Sequence, residues 1–274
     1  MDSVILYIAI GVTYGTHFSR HRSRRLVARE NRRVRLGQTL LFRARERRSA
    51  DRPGPSYLRF RRKTGNARDV PRPENIIVTH SHGDHFNVGT VRRLAAESEE
   101  RITLYGDGGV LRKLEREGGA DVDAVELTPC SGFDAGGYSV MPCRSNHDLF
   151  FAGEQTLNYI VAEKETGRSF FYGADSGWIV YDTWLLIKKA RPNAVIFEAT
   201  VGTVRGDDRV FGHTSIPMIE IMIETMRTQH GPADDCKYYT THMARTLHGT
   251  HEETAAALAP LGITPAYDGM KVTV

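Results

Sequence analysis

The residues best equipped for chemistry stand together at Thr79-His80-Ser81-His82-Gly83-Asp84-His85. If a strand ends here, His80 and His82 project to the same side, because side chains alternate with a period of two and Ser81 faces away. Gly83 permits a sharp turn that swings Asp84 and His85 toward a second position nearby. Three imidazoles and a carboxylate within six residues form the donor set of a metal site, since neutral imidazole and carboxylate suit zinc and its neighbouring divalent ions. The bland alternative is a polar surface turn that happens to be rich in His.

Positioning such a cluster takes regular elements, and from Arg72 onward the pattern supplies them. Asn75 to Thr79 reads as a strand, Val88 to Ser98 as a helix with Val91, Leu94 and Ala95 at helical spacing, and Arg101 to Tyr105 as a strand again. Val110 to Glu117 predicts a second helix. Tyr138 to Met141, Leu157 to Ala162 and Ser169 to Tyr172 predict strands, and Tyr181 to Ala190 a helix feeding the strand Ala194 to Phe197. Ser215 to Thr228 is an amphipathic helix, Lys237 to Thr240 a strand, His251 to Leu258 a helix, and Ile263 to Val274 closes the chain with strand-like pieces. Strands and helices mix throughout, with several consecutive strands in the middle, so the expected class is layered α/β with more than one sheet.

Length and composition agree with a globular chain. The chain has 274 residues, 40% hydrophobic and 26% charged, which excludes disordered and collagen-like classes. Three cysteines, Cys130, Cys143 and Cys236, include no C-x-x-C pair and imply no disulfide framework, so a reducing cytoplasm is the expected compartment. The apolar run Val4 to Tyr14 is too short to span a bilayer and reads as a buried strand.

The net charge of +4 conceals an asymmetry: residues 1–72 hold 19 Lys+Arg against 5 Asp+Glu, and residues 73–274 hold 18 against 28. Of the 19, only Lys63 is Lys; the rest are Arg, in runs such as Arg20-His-Arg-Ser-Arg-Arg25 and Arg43-Ala-Arg-Glu-Arg-Arg48. Three readings are open. One is a phosphate- or nucleic-acid-binding arm, because Arg forks grip phosphate bidentately. The second is a solvated segment. The third is a shifted reading frame, given the near absence of Lys and the weak strand periodicity between Phe42 and Asn66. Residues 1–72 are accordingly set apart, as an atypical segment that either joins the first sheet or is disordered, from a core over 73–274.

At the His-rich run the sequence resembles the metallo-β-lactamase superfamily, whose signature is His-x-His-x-Asp-His at a strand end. The resemblance extends over residues 75–274, since later ligand motifs follow in order: His147 in Arg144-Ser-Asn-His-Asp148, Asp175 in Phe171-Tyr-Gly-Ala-Asp-Ser-Gly177, and His242 in Tyr239-Thr-Thr-His-Met243. It implies a four-layer αββα sandwich and two divalent ions. His80, His82 and His147 would hold the first, Asp84, His85 and His242 the second, and Asp175 would bridge. Zinc is the expected ion, with manganese or iron as alternatives. Seven protein ligands leave room for a bridging hydroxide, a nucleophile that metal makes available near neutral pH.

Two further motifs, Phe197-Glu-Ala-Thr200 and Gly212-His-Thr-Ser215, resemble elements of ribonuclease Z and related phosphodiesterases in which a carboxylate orients a non-ligand His near the leaving group. Glu198 and His213 would take those roles, so Asp84, Glu198 and His213 are the implied catalytic residues. The competing reading places His213 merely beside an N-cap, with Thr214 and Ser215 capping the following helix. Only 28 residues separate His147 from Asp175, too few for the tRNA-gripping arm of ribonuclease Z. The compact phosphodiesterase branch, like the phosphoribosyl cyclic phosphodiesterase, is the nearer match. Its relatives often carry N-terminal cysteines for a structural zinc, which residues 1–72 lack, and of the usual N-terminal turns only Tyr14-Gly-Thr16 and Asp51-Arg-Pro-Gly-Pro55 are echoed.

The leading expectation is a phosphodiesterase acting on a small cyclic or nucleotide-like diester. Alternatives are a ribonuclease Z-like endonuclease, a lactone or thioester hydrolase of the same fold, and a basic nucleic-acid-binding module with a silent metal site. A homodimer is expected from the related phosphodiesterases, with Trp178, Tyr181 and Trp184 as apolar candidates for contact; no membrane association is expected.

Overall fold

A computed structural model describes residues 73–147, 153–244, 246–267 and 270–274, together with three strands nearer the N-terminus. Those strands are β1 (Ile5–Ala9), β2 (Thr39–Phe42) and β3 (Tyr57–Arg61). The rest of residues 1–72, including most of the Arg runs and the end of the Val4 to Tyr14 segment, lies outside the described residues.

β1 to β3 join β4 (Asn75–Val78), β5 (Ile102–Gly106), β6 (Val122–Glu126) and β14 (Lys271–Thr273) in a seven-stranded sheet of order β14-β3-β1-β2-β4-β5-β6. A second seven-stranded sheet has the order β13-β12-β11-β10-β9-β8-β7. Its members are β7 (Phe133–Ala135), β8 (Tyr138–Arg144), β9 (Leu157–Glu163), β10 (Ser169–Gly173), β11 (Ala194–Glu198), β12 (Lys237–Thr241) and β13 (Ile263–Pro265).

Alternation along the strands makes the layers. In β4, Ile77 joins the core between the sheets while Ile76 and Val78 face a separate core with α1 (Val88–Glu97) and α2 (Gly108–Arg116). In β10, Phe170 and Tyr172 turn inward; Phe171 turns outward to the core beneath α3 (Tyr181–Ala190), α4 (Ile216–Thr228) and α5 (His251–Leu258). The result is the αββα sandwich. Trp184 packs against that outer core, whereas Trp178 and Tyr181 are exposed.

Tyr159 ties the sheets together: its buried hydroxyl donates to the Val78 carbonyl at 2.6 Å, one residue before the His-rich loop. Tyr159→Phe is expected to lower stability by about 1 kcal/mol, because a buried carbonyl loses its donor while shape is kept. The urea midpoint of the two proteins checks this.

The two sheets position the site through strand ends. β10, β11 and β12 run parallel, and β8 and β9 pair antiparallel so that β8 shares their direction. The residues following β8, β10 and β12, and the last residue of β11, therefore meet at one end of the sandwich, where β4 also ends.

Candidate metal centre

His80, His82, Asp84 and His85 follow β4 in a turn closed by His85 N–H and Phe86 N–H donating to the His82 carbonyl at 3.0 and 2.8 Å. His147 follows β8, Asp175 follows β10 and His242 follows β12. Asp175 and His242 both adopt left-handed backbone, with φ of +39° and +51°. Non-glycine residues rarely sit there, and such strain collects at functional sites.

All seven side chains converge. His80, His82, His147 and Asp175 form one group whose ligand atoms lie within 4.8 Å of one another; Asp84, His85 and His242 form another. Asp175 stands between them: Oδ2 is 3.1 Å from His85 Nε2, 3.5 Å from His80 Nε2 and 3.7 Å from His147 Nε2, and Oδ1 is 3.1 Å from His242 Nδ1. His85 Nε2 and His242 Nε2 approach to 3.3 Å, and His147 Nε2 and His82 Nδ1 to 3.4 Å.

The donors fit divalent ions. Buried His80 Nε2 and Asp175 Oδ1 make no hydrogen bond, a costly state for polar atoms unless a cation answers them. Burial, then the neighbouring His85, pushes the His80 imidazole well below its ordinary value; burial also lowers His82 and His147, with the neighbouring His147 adding to the effect at His82. Burial opposes ionisation of Asp84 and Asp175, yet the surrounding imidazoles outweigh it and hold both carboxyls low. Neutral imidazole and ionised carboxylate are the states metal binding requires. His242 differs. Burial lowers it, but Asp175, Asp84 and Glu198 together bring it to about 9, so metal uptake at neutral pH must release its proton.

Other residues orient these ligands. Thr79 Oγ1 lies 2.9 Å from His85 Nδ1 and 3.1 Å from His80 Nδ1. Thr200 Oγ1 lies 2.8 Å from His242 Nδ1 and donates to the His242 carbonyl at 3.0 Å. The Gly212 carbonyl lies 3.0 Å from His147 Nδ1. Ser145 Oγ joins two loops, donating to the Asp175 carbonyl at 2.7 Å and accepting from His147 N–H at 3.1 Å.

Glu198, the buried last residue of β11, is not a ligand in this arrangement. Its Oε1 accepts from Thr214 N–H at 2.7 Å and Ser176 N–H at 3.3 Å and lies 3.0 Å from His213 Nδ1; Oε2 accepts from Thr200 N–H at 2.6 Å. His213 is thereby held over the centre, its ring centroid 4.6 Å from that of His147. Burial lowers His213, and the Glu198 hydrogen bond and charge more than reverse this, leaving a net upward shift. Ser215 is the N-cap residue of α4, as the N-cap alternative has it, but it makes no side-chain cap bond, and Thr214 Oγ1 donates to the Ser176 and Gly177 carbonyls.

Thr79, Thr200, Ser145 and Lys113 act in the site but carry no sequence signal of their own. Thr79, Ser145 and Thr200 lie in motifs singled out beforehand, but nothing there gave them a role, and Lys113 lies in none.

Comparison with known proteins follows the same lines. A model of the beta-lactamase superfamily domain matches residues 52–267. No curated protein matches the sequence significantly. Among solved structures, a diphosphatase from the PhnP family is 20% identical with a TM-score of 0.56, covering 74% of this chain and 72% of that one. The short form of human tRNase Z is 22% identical, TM-score 0.51, covering 73% and 79%. The diiron β-hydroxylase CmlA from Streptomyces venezuelae is 14% identical, TM-score 0.55, covering 86% and 52%. At these identities the likeness is one of fold.

Proposed function

The chain belongs to the beta-lactamase superfamily, and from that premise we propose that it is a dinuclear metal-dependent phosphodiesterase acting on a small cyclic or nucleotide-like diester. The observation that carries the reading is the Glu198–His213 pair, 3.0 Å apart, beside two ligand groups with Asp175 of the first reaching His85 and His242 of the second at 3.1 Å. When bound, two divalent ions supply Lewis-acid activation of the phosphoryl group and of a water nucleophile.

The chain's own residues do the rest. His80, His82 and His147 would hold one ion and Asp84, His85 and His242 the other, with Asp175 placed to keep both in register. His213 Nδ1 faces Glu198, so Nε2 is the atom left to donate a proton to the departing oxygen. Glu198, itself fixed by three backbone N–H groups, sets the ring's orientation and keeps it protonated at higher pH than a free imidazole. A lactone or thioester hydrolase has less need of such a donor, and both the diphosphatase and the tRNase among the structural neighbours act on phosphorus by name.

Five imidazoles against two carboxylates favour zinc, while the diiron neighbour shows that this fold also carries iron. Elemental analysis of reconstituted protein is expected to give two ions per chain, and the protein to hydrolyse bis(p-nitrophenyl) phosphate in a metal-dependent manner. Protein that binds no transition metal, or binds it yet cleaves only esters and thioesters, would overturn the proposal.

A further inference from the structure

Outside the ligand set, one charged side chain grips the His-rich loop from behind. Lys113, on α2, donates from Nζ to the Ser81 carbonyl at 2.6 Å and to the Phe86 carbonyl at 3.1 Å, its ammonium 5.8 Å from the Phe86 ring centroid. These two carbonyls bracket His82, Asp84 and His85. One short segment, pinned at both ends by one ammonium, thus supplies a donor to the first ligand group and two to the second.

The helix carrying Lys113 is itself fixed. Asp107 caps α2 by accepting from Gly109 N–H at 3.0 Å and Val110 N–H at 3.1 Å, and the same carboxylate accepts from Gln155 N–H at 2.9 Å. Next to Gln155, Glu154 Oε2 accepts from the Ser81 hydroxyl at 3.1 Å. Glu154 also packs on the first turn of α2: a Cβ on Gly109 would come within 2.5 Å of Glu154 Cγ. Helix, Glu154 and loop form one frame.

We propose that Lys113 is the positioning residue for both ions, acting through the carbonyls of Ser81 and Phe86 to hold the ligand loop in its metal-ready shape. The inference rests on the dinuclear reading above. Its sign sets it apart from a charge effect. An ammonium beside a site for two cations opposes their binding, so neutralising it should tighten metal binding if charge were all it contributed. If Lys113 positions the loop, neutralising it must weaken binding, as removal of groups that orient metal ligands does by 10- to 100-fold.

The test is Zn2+ affinity, measured by competition with a chromophoric chelator, alongside thermal melting of the metal-free proteins. Lys113→Met keeps the apolar stem over Phe86 and removes both hydrogen bonds; both ions should be held about 10- to 100-fold more weakly. Lys113→Arg, which keeps charge and donors, should recover most of the loss. Lys113→Gln, with a shorter single amide donor, should fall between and decides the question should the Met variant not fold. Wild-type affinity or tighter binding in the Met or Gln variant would overturn the proposal. So would a drop in metal-free melting with unchanged affinity. Wild-type protein that takes up no Zn2+ would overturn the dinuclear reading, and this inference with it.

Discussion

Asp175→Asn is expected to fold and to retain almost no metal, whereas His147→Ala should keep about one ion per chain. The contrast follows from geometry. His147 belongs to one ligand group, and its removal leaves Asp84, His85 and His242 untouched. Asp175 presents Oδ2 within 3.7 Å of three imidazole nitrogens and Oδ1 to His242, so it serves both groups. Asn is the informative replacement because it tolerates the left-handed backbone at φ +39°, where alanine would add strain. It retains the side chain's shape and withdraws its charge. Loss of both ions removes several kcal/mol of transition-state stabilisation, so phosphodiester hydrolysis should fall by about 10³-fold or more. Elemental analysis after dialysis against a weak chelator checks the metal count. Two ions in Asp175→Asn, or none in His147→Ala, would break the assignment of Asp175 as the shared ligand.

How legible these features were depended on whether a residue's role is written in local pattern. β4, β9, β10, β11 and β12 are short apolar runs buried along their whole length or nearly so, and their periods or composition stand out. β6 was missed because only Val122 of its five residues is buried; an edge strand whose other side chains face solvent has no apolar alternation to read. β7, three residues long, is too brief to leave a period. α2 starts two residues earlier than expected, since its first turn is Gly108-Gly109; Asp107 was the cap signal. β3 lies in the Arg-rich stretch of weak strand periodicity, although Leu58 and Phe60 do alternate with Arg59 and Arg61. In the site, the His-rich run announces itself because its donors are adjacent in sequence. His147, Asp175 and His242 are single residues after strands and came into view only through resemblance to a known family. Lys113 and Thr200 reach carbonyls and ring nitrogens distant in sequence, contacts that pattern cannot encode.

His213→Ala should leave both ions in place and slow cleavage of diesters with poor leaving groups by about 100-fold, the usual worth of a positioned general acid. The loss should shrink for p-nitrophenolate esters, whose leaving oxygen needs little protonation. The pH profile supplies an independent check with a definite sign. His213 titrates above the ordinary 6.5 because Glu198 outweighs the effect of burial. If His213 is the proton donor, its acid form is the active one, so with poor leaving groups kcat should hold at lower pH and decline as pH rises through the raised His213 value. In His213→Ala that alkaline limb should disappear. Glu198→Gln should lower kcat less and move the limb toward lower pH, because the imidazole stays while the charge that raises it is gone. The substitution has a side effect to control: Glu198 Oε2 accepts from Thr200 N–H at 2.6 Å, and an amide NH2 placed there would set donor against donor beside the residue that orients His242. Metal content of the Gln variant therefore has to be measured together with its rate. If His213→Ala instead slows good and poor leaving groups equally, or empties the centre of metal, the proton-donor role is wrong and the residue belongs to substrate binding or to the ligand set it borders with Asp175 and His242.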